Sequence, residues 1–535
     1  MADKRLVLAD PLSEEGLEIL NAAGGLIVDD LSKRSRSELL ESLNGTSGLI
    51  VRSATMADEE LLDHASSLEV IGRAGVGLDN IDLEAATRRG IAILNAPAGN
   101  TISTAEHAFA LLLALARGIP DAAASMRAGH WERKSLKGAQ LAGKTLGVVG
   151  AGRIGTEVVR RARAFGMDVI VSDPYLSESR ARELGVQSVP LEGLLEASDY
   201  VTLHVPLVDE TQHLIGAPEL ARMKPAAGLI NAARGGIVDE QALIAALRTG
   251  EIAAAALDVF EAEPLPDDDP LRECPNLIMT PHIGASTPEA QREVAIEIAR
   301  AVRDALLDGD FGGAVNLPSV AADERPRTEV LLDLARRLGH LLSELVDGPT
   351  ESIAVRYTAP PGAMSQLAIS AALEGFLTPR LAGPLNLINA ALLAEERGIE
   401  VSRSHVRAEG RGKNWIELVA DSGGTRRSVA GKLTSRGEPR LLRIDAFRVE
   451  VTPGGTLLFV RNDDVPGVIG GIGTILGGAG VNIGEFHQAR DRELGEALGV
   501  VSLDAGLSPE RLSALRDVPG VRDVRQVKLA DRPGQ

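Results

Sequence analysis

One stretch constrains the fold of this 535-residue chain more than any other. Leu146-Gly-Val-Val149 is short and apolar, the pattern of a buried strand. Gly150, Gly152 and Gly155 follow at G-x-G-x-x-G spacing and open a helix through Thr156-Glu-Val-Val-Arg-Arg-Ala162. In that setting the first glycine makes a tight turn and the second lets the backbone approach a pyrophosphate. The third allows close helix–strand packing. The helix N-terminus presents free N–H groups and the positive end of its dipole to the same anion. A second apolar strand, Asp168–Ser172, runs into Asp173. That carboxylate lies about 20 residues past the glycines, where an acid accepts both ribose hydroxyls of NAD and repels the 2′-phosphate of NADP. Strand, glycines, helix, strand and acid in this order predict an NAD-binding unit.

The length leaves room for roughly three or four domains. Hydrophobic residues make up 44% and charged residues 24%, a globular composition. The net charge of −19 disfavours nucleic acid as a partner, so an anionic substrate must be drawn in by a local cluster of arginines. The single cysteine, Cys274, excludes an internal disulfide and fits a reducing compartment; it reads as structural. The first residues enter a strand pattern directly and lack the form of a signal peptide. The most apolar run, Ala108 to Ala116, is too short to span a bilayer. The chain is therefore expected to be soluble and cytoplasmic, with no membrane partner. Asp267-Asp-Asp269 reads as a solvated loop, and no metal site is expected.

Residues 1 to about 97 alternate strand-like and helix-like segments, and a long helix is expected from about Thr101 to Ala116. The dinucleotide unit then continues to about His282. Another helix is expected from Pro288 to Leu307, and Gly309 to Pro318 reads as a linker. Residues 319 to 452 mix helices with hairpin-like segments and contain no catalytic cluster. After the turn at Pro453-Gly-Gly455, the last residues read β-α-β-β-α-β, a ferredoxin-like pattern. Gly471-Ile-Gly473 within it is a false echo of the dinucleotide turn.

Three polar residues stand in loops that follow strands of the dinucleotide unit: Arg234, Glu263 and His282. Open α/β sheets bind ligands at the C-terminal ends of their strands. Hydride transfer from an alcohol needs a base for the hydroxyl proton, a role that suits histidine. A glutamate beside it orients the ring and favours the imidazolium. An arginine clamps a 2-oxo carboxylate through paired hydrogen bonds.

These segments resemble the signatures of the D-2-hydroxyacid dehydrogenase family, most strongly from Val51 to Thr287. The two additional C-terminal regions resemble those of the long-form members, which oxidise 3-phospho-D-glycerate in serine biosynthesis. The resemblance implies an α/β fold: a Rossmann-type doubly wound NAD-binding domain (98–283) inserted in a flavodoxin-like substrate domain (1–97 and 284–316). It adds an α+β intervening domain (317–452) and a ferredoxin-like ACT domain (453–535). It implies His282 as acid/base, Glu263 as its partner and Arg234 as substrate clamp. It also implies NAD contacts from Arg153, Ile154, Asp173, His204, Pro206 and Ala232, and from Asp258 at the nicotinamide amide.

For a phosphorylated 2-hydroxy acid, Arg52-Ser53 and Arg73 end two strands of the first domain and supply positive charge. Val76 and Gly77 are expected to offer N–H groups to the carboxylate. Arg52 has the alternative of a surface salt bridge. Trp131-Glu-Arg-Lys134 resembles the family's arm, whose Arg133 reaches the phosphate from a neighbouring subunit; packing between domains is an equal alternative for Trp131. In the last domain Asn462, Asp464 and Asn482 match positions where ACT domains bind amino acids at a dimer interface, which implies L-serine as effector. A pure dimerisation module is the alternative. A homo-oligomer, a tetramer, is expected. Rival functions are a glyoxylate or hydroxypyruvate reductase and a non-catalytic NAD-sensing scaffold.

Overall fold

The computed structural model describes residues 3–321, 323–359, 362–381, 383–407 and 414–529. Five strands, β1 (Lys4–Leu8), β2 (Leu26–Asp30), β3 (Gly48–Val51), β4 (Val70–Arg73) and β5 (Ala92–Asn95), form a parallel sheet in the order β2-β1-β3-β4-β5. This is the flavodoxin-like order, covered on both faces. The inner strands accordingly read as continuous apolar runs, and all four residues of β3 are buried.

The helix Thr101–Arg117 then crosses to a second sheet. It buries Ala105, Ala108, Phe109, Leu111 and Leu112 and stops at Gly118, which takes the left-handed conformation at φ +56°. The second sheet contains β6 (Thr145–Val149), β7 (Asp168–Ser172), β8 (Gln187–Ser188), β9 (Tyr200–Leu203), β10 (Gly228–Asn231), β11 (Ala254–Leu257) and β12 (Leu277–Met279). All seven are parallel, in the order β12-β11-β10-β9-β6-β7-β8, with the reversal beside β6 that marks a doubly wound fold.

The chain next returns to the first sheet. The helix Pro288–Asp308 is capped by Thr287, which accepts from the Ala290 N–H, and has proline in its first turn. It lays Ile298 and Val302 across β4. A Cβ at Gly72 would collide with both, so that strand position must be bare. The expected linker at 309–318 is not a free connection. Ala314 bridges Leu94, and the Val315 N–H donates to Ile93 O at 2.7 Å. The Asn316 side chain accepts from the Ile93 N–H and donates to Ile91 O. The segment thus covers the edge of β5, whose backbone would otherwise lack partners.

Beyond it, the helices Arg325–Leu345 and Ala363–Leu377 cross so closely that a Cβ at Gly339 or Gly375 would strike the carbonyl of Ala372 or Arg336. They pack on a mixed sheet of β13 (Ser352–Tyr357), β14 (Glu400–His405), β15 (Trp415–Ser422), β16 (Thr425–Leu433), β17 (Pro439–Ile444) and β18 (Phe447–Val451). Its order is β14-β13-β15-β16-β17-β18.

The last sheet has β19 (Thr456–Asp463), β20 (Ile483–Asp491), β21 (Glu496–Leu503) and β22 (Val521–Lys528) in the order β20-β21-β19-β22. With the helices Val468–Gly478 and Pro509–Arg516 it is the ferredoxin-like arrangement expected from the sequence. Gly471 lies inside the first of these helices, not in a strand-to-helix turn. One face of this sheet, through Leu457, Phe459, Leu498, Val500 and Val527, shares a core with the preceding mixed sheet. Among the described residues no single helix is long and apolar enough to cross a membrane.

Candidate active site

A cleft of about 880 Å³ opens where the strand C-termini of the first two sheets face each other. One wall is Val76–Asp79 after β4. The other is Arg153 and Ile154, His204–Val208, Ala232–Arg234, Asp258 and His282.

The glycine turn at the end of β6 fits a dinucleotide. Gly150 has φ +91°, and a Cβ there would meet His204 O at 2.6 Å. A Cβ at Gly155 would strike Gly150 O. At Gly152 nothing lies within 4 Å, so the open side of the turn is the one a pyrophosphate would approach. Gly152 also caps the helix Arg153–Ala164 without a side-chain hydrogen bond, which leaves its N-terminal donors free. The Asp173 carboxylate accepts from the N–H groups of Ala151 and Tyr175, both at 2.8 Å, and so stands against the turn. His204 ends β9. Burial lowers its imidazole to about 4, and Nδ1 is buried with no hydrogen-bond partner.

The three expected catalytic residues converge. Asn231, 1% exposed at the end of β10, folds the next turn by accepting from the Ala233 N–H and donating to Arg234 O. Arg234 then reaches across the cleft to Asp79, with Nε 3.3 Å from Oδ2, and lies over Gly77, where a Cβ would collide with the guanidinium. A Cβ at Gly235 would strike Phe260 O, so the arginine turn packs directly on the loop that carries Glu263. His282 Nδ1 stands 2.6 Å from Glu263 Oε2, which leaves Nε2 for a substrate. Burial would raise the Glu263 carboxyl. Hydrogen bonds from His282 and the Phe260 N–H outweigh that and hold it below the ordinary carboxylate range. The pair is about half exposed, so its value lies in orientation more than in stability. His282 sits at φ +51°, a left-handed conformation that a non-glycine residue keeps only when its surroundings impose it.

The basic residues of the first domain gather behind Val76 and Gly77. Arg73 is largely buried with Nε unpartnered. Burial first, then Arg234 and Arg52, lower its guanidinium to about 10 against the partial relief of Asp79. Arg52 lines an adjoining hollow with Ser13, Ala74 and Gln291 instead of the main cleft. Its turn is set by two buried residues that the sequence reading missed. Asp10 accepts the Arg52 N–H at 2.6 Å, and the Asn80 amide donates to Arg52 O at 2.7 Å. Ser53 is exposed in that turn. Arg133 is exposed and does not line the cleft of its own chain. Trp131 is 80% exposed, so its reading as a packing residue between domains of one chain is overturned.

Two further cleft residues were not singled out from the sequence. Asn100 Oδ1 and Thr104 Oγ1, four residues apart at the start of the crossover helix, are buried without partners and line the cleft. Polar residues one helical turn apart at a helix start were the available signal.

In the last domain Asn482 lies apart from Asn462 and Asp464 within one chain. Asn462 is 2% exposed. Its amide donates to Asp463 O and meets Gln488, so the side chain points inward instead of offering itself at the surface. Asp464 is engaged by Arg490 Nε, 2.8 Å from both carboxylate oxygens. Asn482 is exposed at the start of β20, across the helix Val468–Gly478 and at the opposite end of the sheet from Asp464. One site using both needs two copies of the domain. Cys274 is partly buried, and burial raises its thiol. Among the described residues no cluster could hold a metal ion.

A dinucleotide turn with its acid, facing a paired histidine and glutamate and a clamping arginine, defines a nicotinamide-linked dehydrogenase of hydroxy acids. The comparisons agree. The D-isomer specific 2-hydroxyacid dehydrogenase NAD binding domain matches residues 109–284, the D-3-phosphoglycerate dehydrogenase intervening domain 328–445, and the ACT domain 456–520. A D-3-phosphoglycerate dehydrogenase of Synechocystis is 41% identical over 532 residues, covering 98% of this chain and 95% of that protein. Its Bacillus subtilis counterpart is 39% identical over 533 residues, covering 99% and 100%. Among solved structures, a D-lactate dehydrogenase of Aquifex aeolicus complexed with NAD and lactic acid is 32% identical. Its TM-score is 0.51, over 59% of this chain and all of that one. The chain belongs to the D-3-phosphoglycerate dehydrogenase family.

Proposed function

We propose that the chain oxidises 3-phospho-D-glycerate to 3-phosphooxypyruvate with NAD, the first step of L-serine biosynthesis. The observation that carries this reading is the charge cluster of Arg73, Arg52 and Arg234 around the Val76–Gly77 strand end, which faces His282 across the cleft. Two anionic groups on one small substrate need that much positive charge in a chain of net charge −19.

The glycine turn and the free N–H groups of the Arg153–Ala164 helix receive the pyrophosphate. Ile154, Pro206 and Ala232 wall the cofactor groove, and Asp173 takes the ribose hydroxyls. NAD, when held there, would supply the acceptor for the hydride from C2 of the substrate. Arg234 and the N–H groups of Val76 and Gly77 hold the carboxylate, which orients C2. His282 Nε2 takes the C2 hydroxyl proton, and Glu263 at 2.6 Å stabilises the imidazolium that forms. Arg73 and Arg52, joined by Arg133 from a neighbouring copy, hold the phosphate.

We assign the domains as 1–97 with 284–316, 98–283, 317–452 and 453–535, a division that the four separate sheets support. A homo-oligomer, a tetramer, accounts for Arg133 and for the separated effector residues. L-serine binding between two ACT domains would act by favouring one of two arrangements of the whole assembly. We place the enzyme in the cytoplasm.

The test is NADH formation from a panel of hydroxy acids. 3-Phospho-D-glycerate should be turned over far better than D-glycerate or D-lactate. Equal turnover of phosphorylated and unphosphorylated acids would sink the assignment.

A further inference from the structure

The crossover helix Thr101–Arg117 carries a partly buried histidine that the chemistry above does not use. His107 has an 18% exposed side chain, and its Nε2 lies 3.0 Å from Asp258 Oδ1 and 3.2 Å from Thr280 Oγ1. Thr280 itself donates to Asp258 Oδ1 at 2.6 Å, so its oxygen is left as an acceptor. Nε2 therefore faces two acceptors and must carry a hydrogen.

Asp258, at the end of β11, is 1% exposed. Its carboxylate gathers the loop that contains His282. Oδ1 accepts from His107, Thr280 and the Ile283 N–H at 3.0 Å, and Oδ2 accepts from the Gly284 N–H at 2.9 Å. Its main-chain carbonyl accepts the His282 N–H at 2.8 Å. Residues on both sides of His282, and His282 itself, hang on this one aspartate. That is how the left-handed backbone at His282 is held.

An ionised carboxylate at this depth must be fully paired. Burial works against the Asp258 charge, and the His107 hydrogen bond is the leading contribution that restores it. If Asp258 took a proton, the proton would crowd donors already aimed at its oxygens, and the loop would lose its anchor. Nearby, Ser103 Oγ donates to Gly284 O at 2.9 Å, so the same helix face grips the loop at a second point.

We propose that His107 is a positioning residue for hydride transfer: it holds Asp258, and through Asp258 it fixes the backbone that aims His282 at the substrate hydroxyl. This rests on the reading of His282 as the acid/base. A displacement of about 1 Å at a reacting group is enough to lower a rate by about 10²-fold.

The test compares His107→Leu, which removes the donor, with His107→Gln, whose amide nitrogen can replace Nε2–H. His107→Leu should lower kcat by about 10- to 100-fold, with KM for 3-phospho-D-glycerate and NADH affinity by fluorescence titration little changed. His107→Gln should restore most of kcat. In the His282→Ala background, His107→Leu should add almost nothing, because its effect passes through His282. An undiminished kcat in His107→Leu overturns the proposal. So does a His107→Gln variant as slow as His107→Leu, or a full further loss in the His282→Ala background. If His107→Leu does not fold, Thr280→Val removes another donor to the same carboxylate and should show the same fall in kcat at unchanged KM; its absence likewise overturns the proposal. Activity retained in His282→Ala alone would instead refute the acid/base reading, separately from these outcomes.

Discussion

Replacing Arg73 by methionine separates what the residue does for the fold from what it does for the substrate. The guanidinium is pulled well below its ordinary value, to about 10, by burial first and then by Arg234 and Arg52. A tenfold change in proton affinity is about 1.4 kcal/mol, so the charge is held about 3 kcal/mol above its state in water. The folded value lies below the unfolded one. The penalty is therefore fully present at neutral pH and fades only as pH rises past about 10. Methionine keeps most of the stem and removes the charge. The ligand-free Arg73→Met protein should be at least as stable as the wild type, by up to about 3 kcal/mol, with a Tm higher by several degrees. Millimolar inorganic phosphate should raise the Tm of the wild type, by mass action on the folded state, and leave the variant unmoved. kcat/KM for 3-phospho-D-glycerate should fall by about 2–5 kcal/mol in activation free energy, the loss typical of a buried charge partner. Turnover of D-glycerate should barely change. Scanning calorimetry with and without phosphate, alongside NADH assays on both substrates, decides the matter. A variant that melts well below the wild type and loses both substrates equally would show that Arg73 supports the fold instead of the phosphate.

Four other outcomes are expected. His282→Ala should lower kcat by roughly 10²–10⁴-fold while NADH still binds by fluorescence titration; normal turnover would remove His282 from the chemistry. Asp173→Ala should erode the preference for NAD, because the carboxylate that faces the ribose is gone, and an unchanged NAD to NADP ratio of kcat/KM would contradict the placement beside Ala151. His204 takes its proton only near pH 4 in the fold but near 6.5 when unfolded, so folding stability should decline as pH falls from about 6.5 to 4, by at most about 3 kcal/mol. His204→Asn should flatten that part of the curve in urea titrations, and an identical decline would assign it elsewhere. Serine should inhibit the wild type, and Asn482→Ala should abolish inhibition with little change in uninhibited kcat. Arg490→Ala should alter the serine response by releasing Asp464, and if millimolar serine neither binds nor slows the enzyme, the ACT domain serves assembly alone.

Much of this molecule is written in short segments. The turn at Gly150–Gly155 demands glycine for reasons confined to a few neighbours: a positive φ, one carbonyl contact, one open face. The β-α-β-β-α-β order of the last domain follows from hydropathy patterns of eight to eleven residues. Arg234, Glu263 and His282 were legible because each follows a strand, and strand ends in such folds converge. Tertiary structure decided the rest. The segment 309–318 has the composition of a linker, and only the bare edge of β5, more than 200 residues earlier, turns it into a cover. Asn462 looks like a surface ligand until Gln488 and Asp463 draw its amide inward, and Asp464 looks free until Arg490 closes on it. Arg52, Arg73 and Arg234 become one field only when two sheets face each other across a cleft. His107 lies on a helix whose sequence reads as plain amphipathic core, and its partner Asp258 is 151 residues away. Periodicity and turn chemistry act over a few residues and can be read in order along the chain. Hydrogen bonds and charges act over a few ångströms of space, and the fold chooses which distant residues come that close.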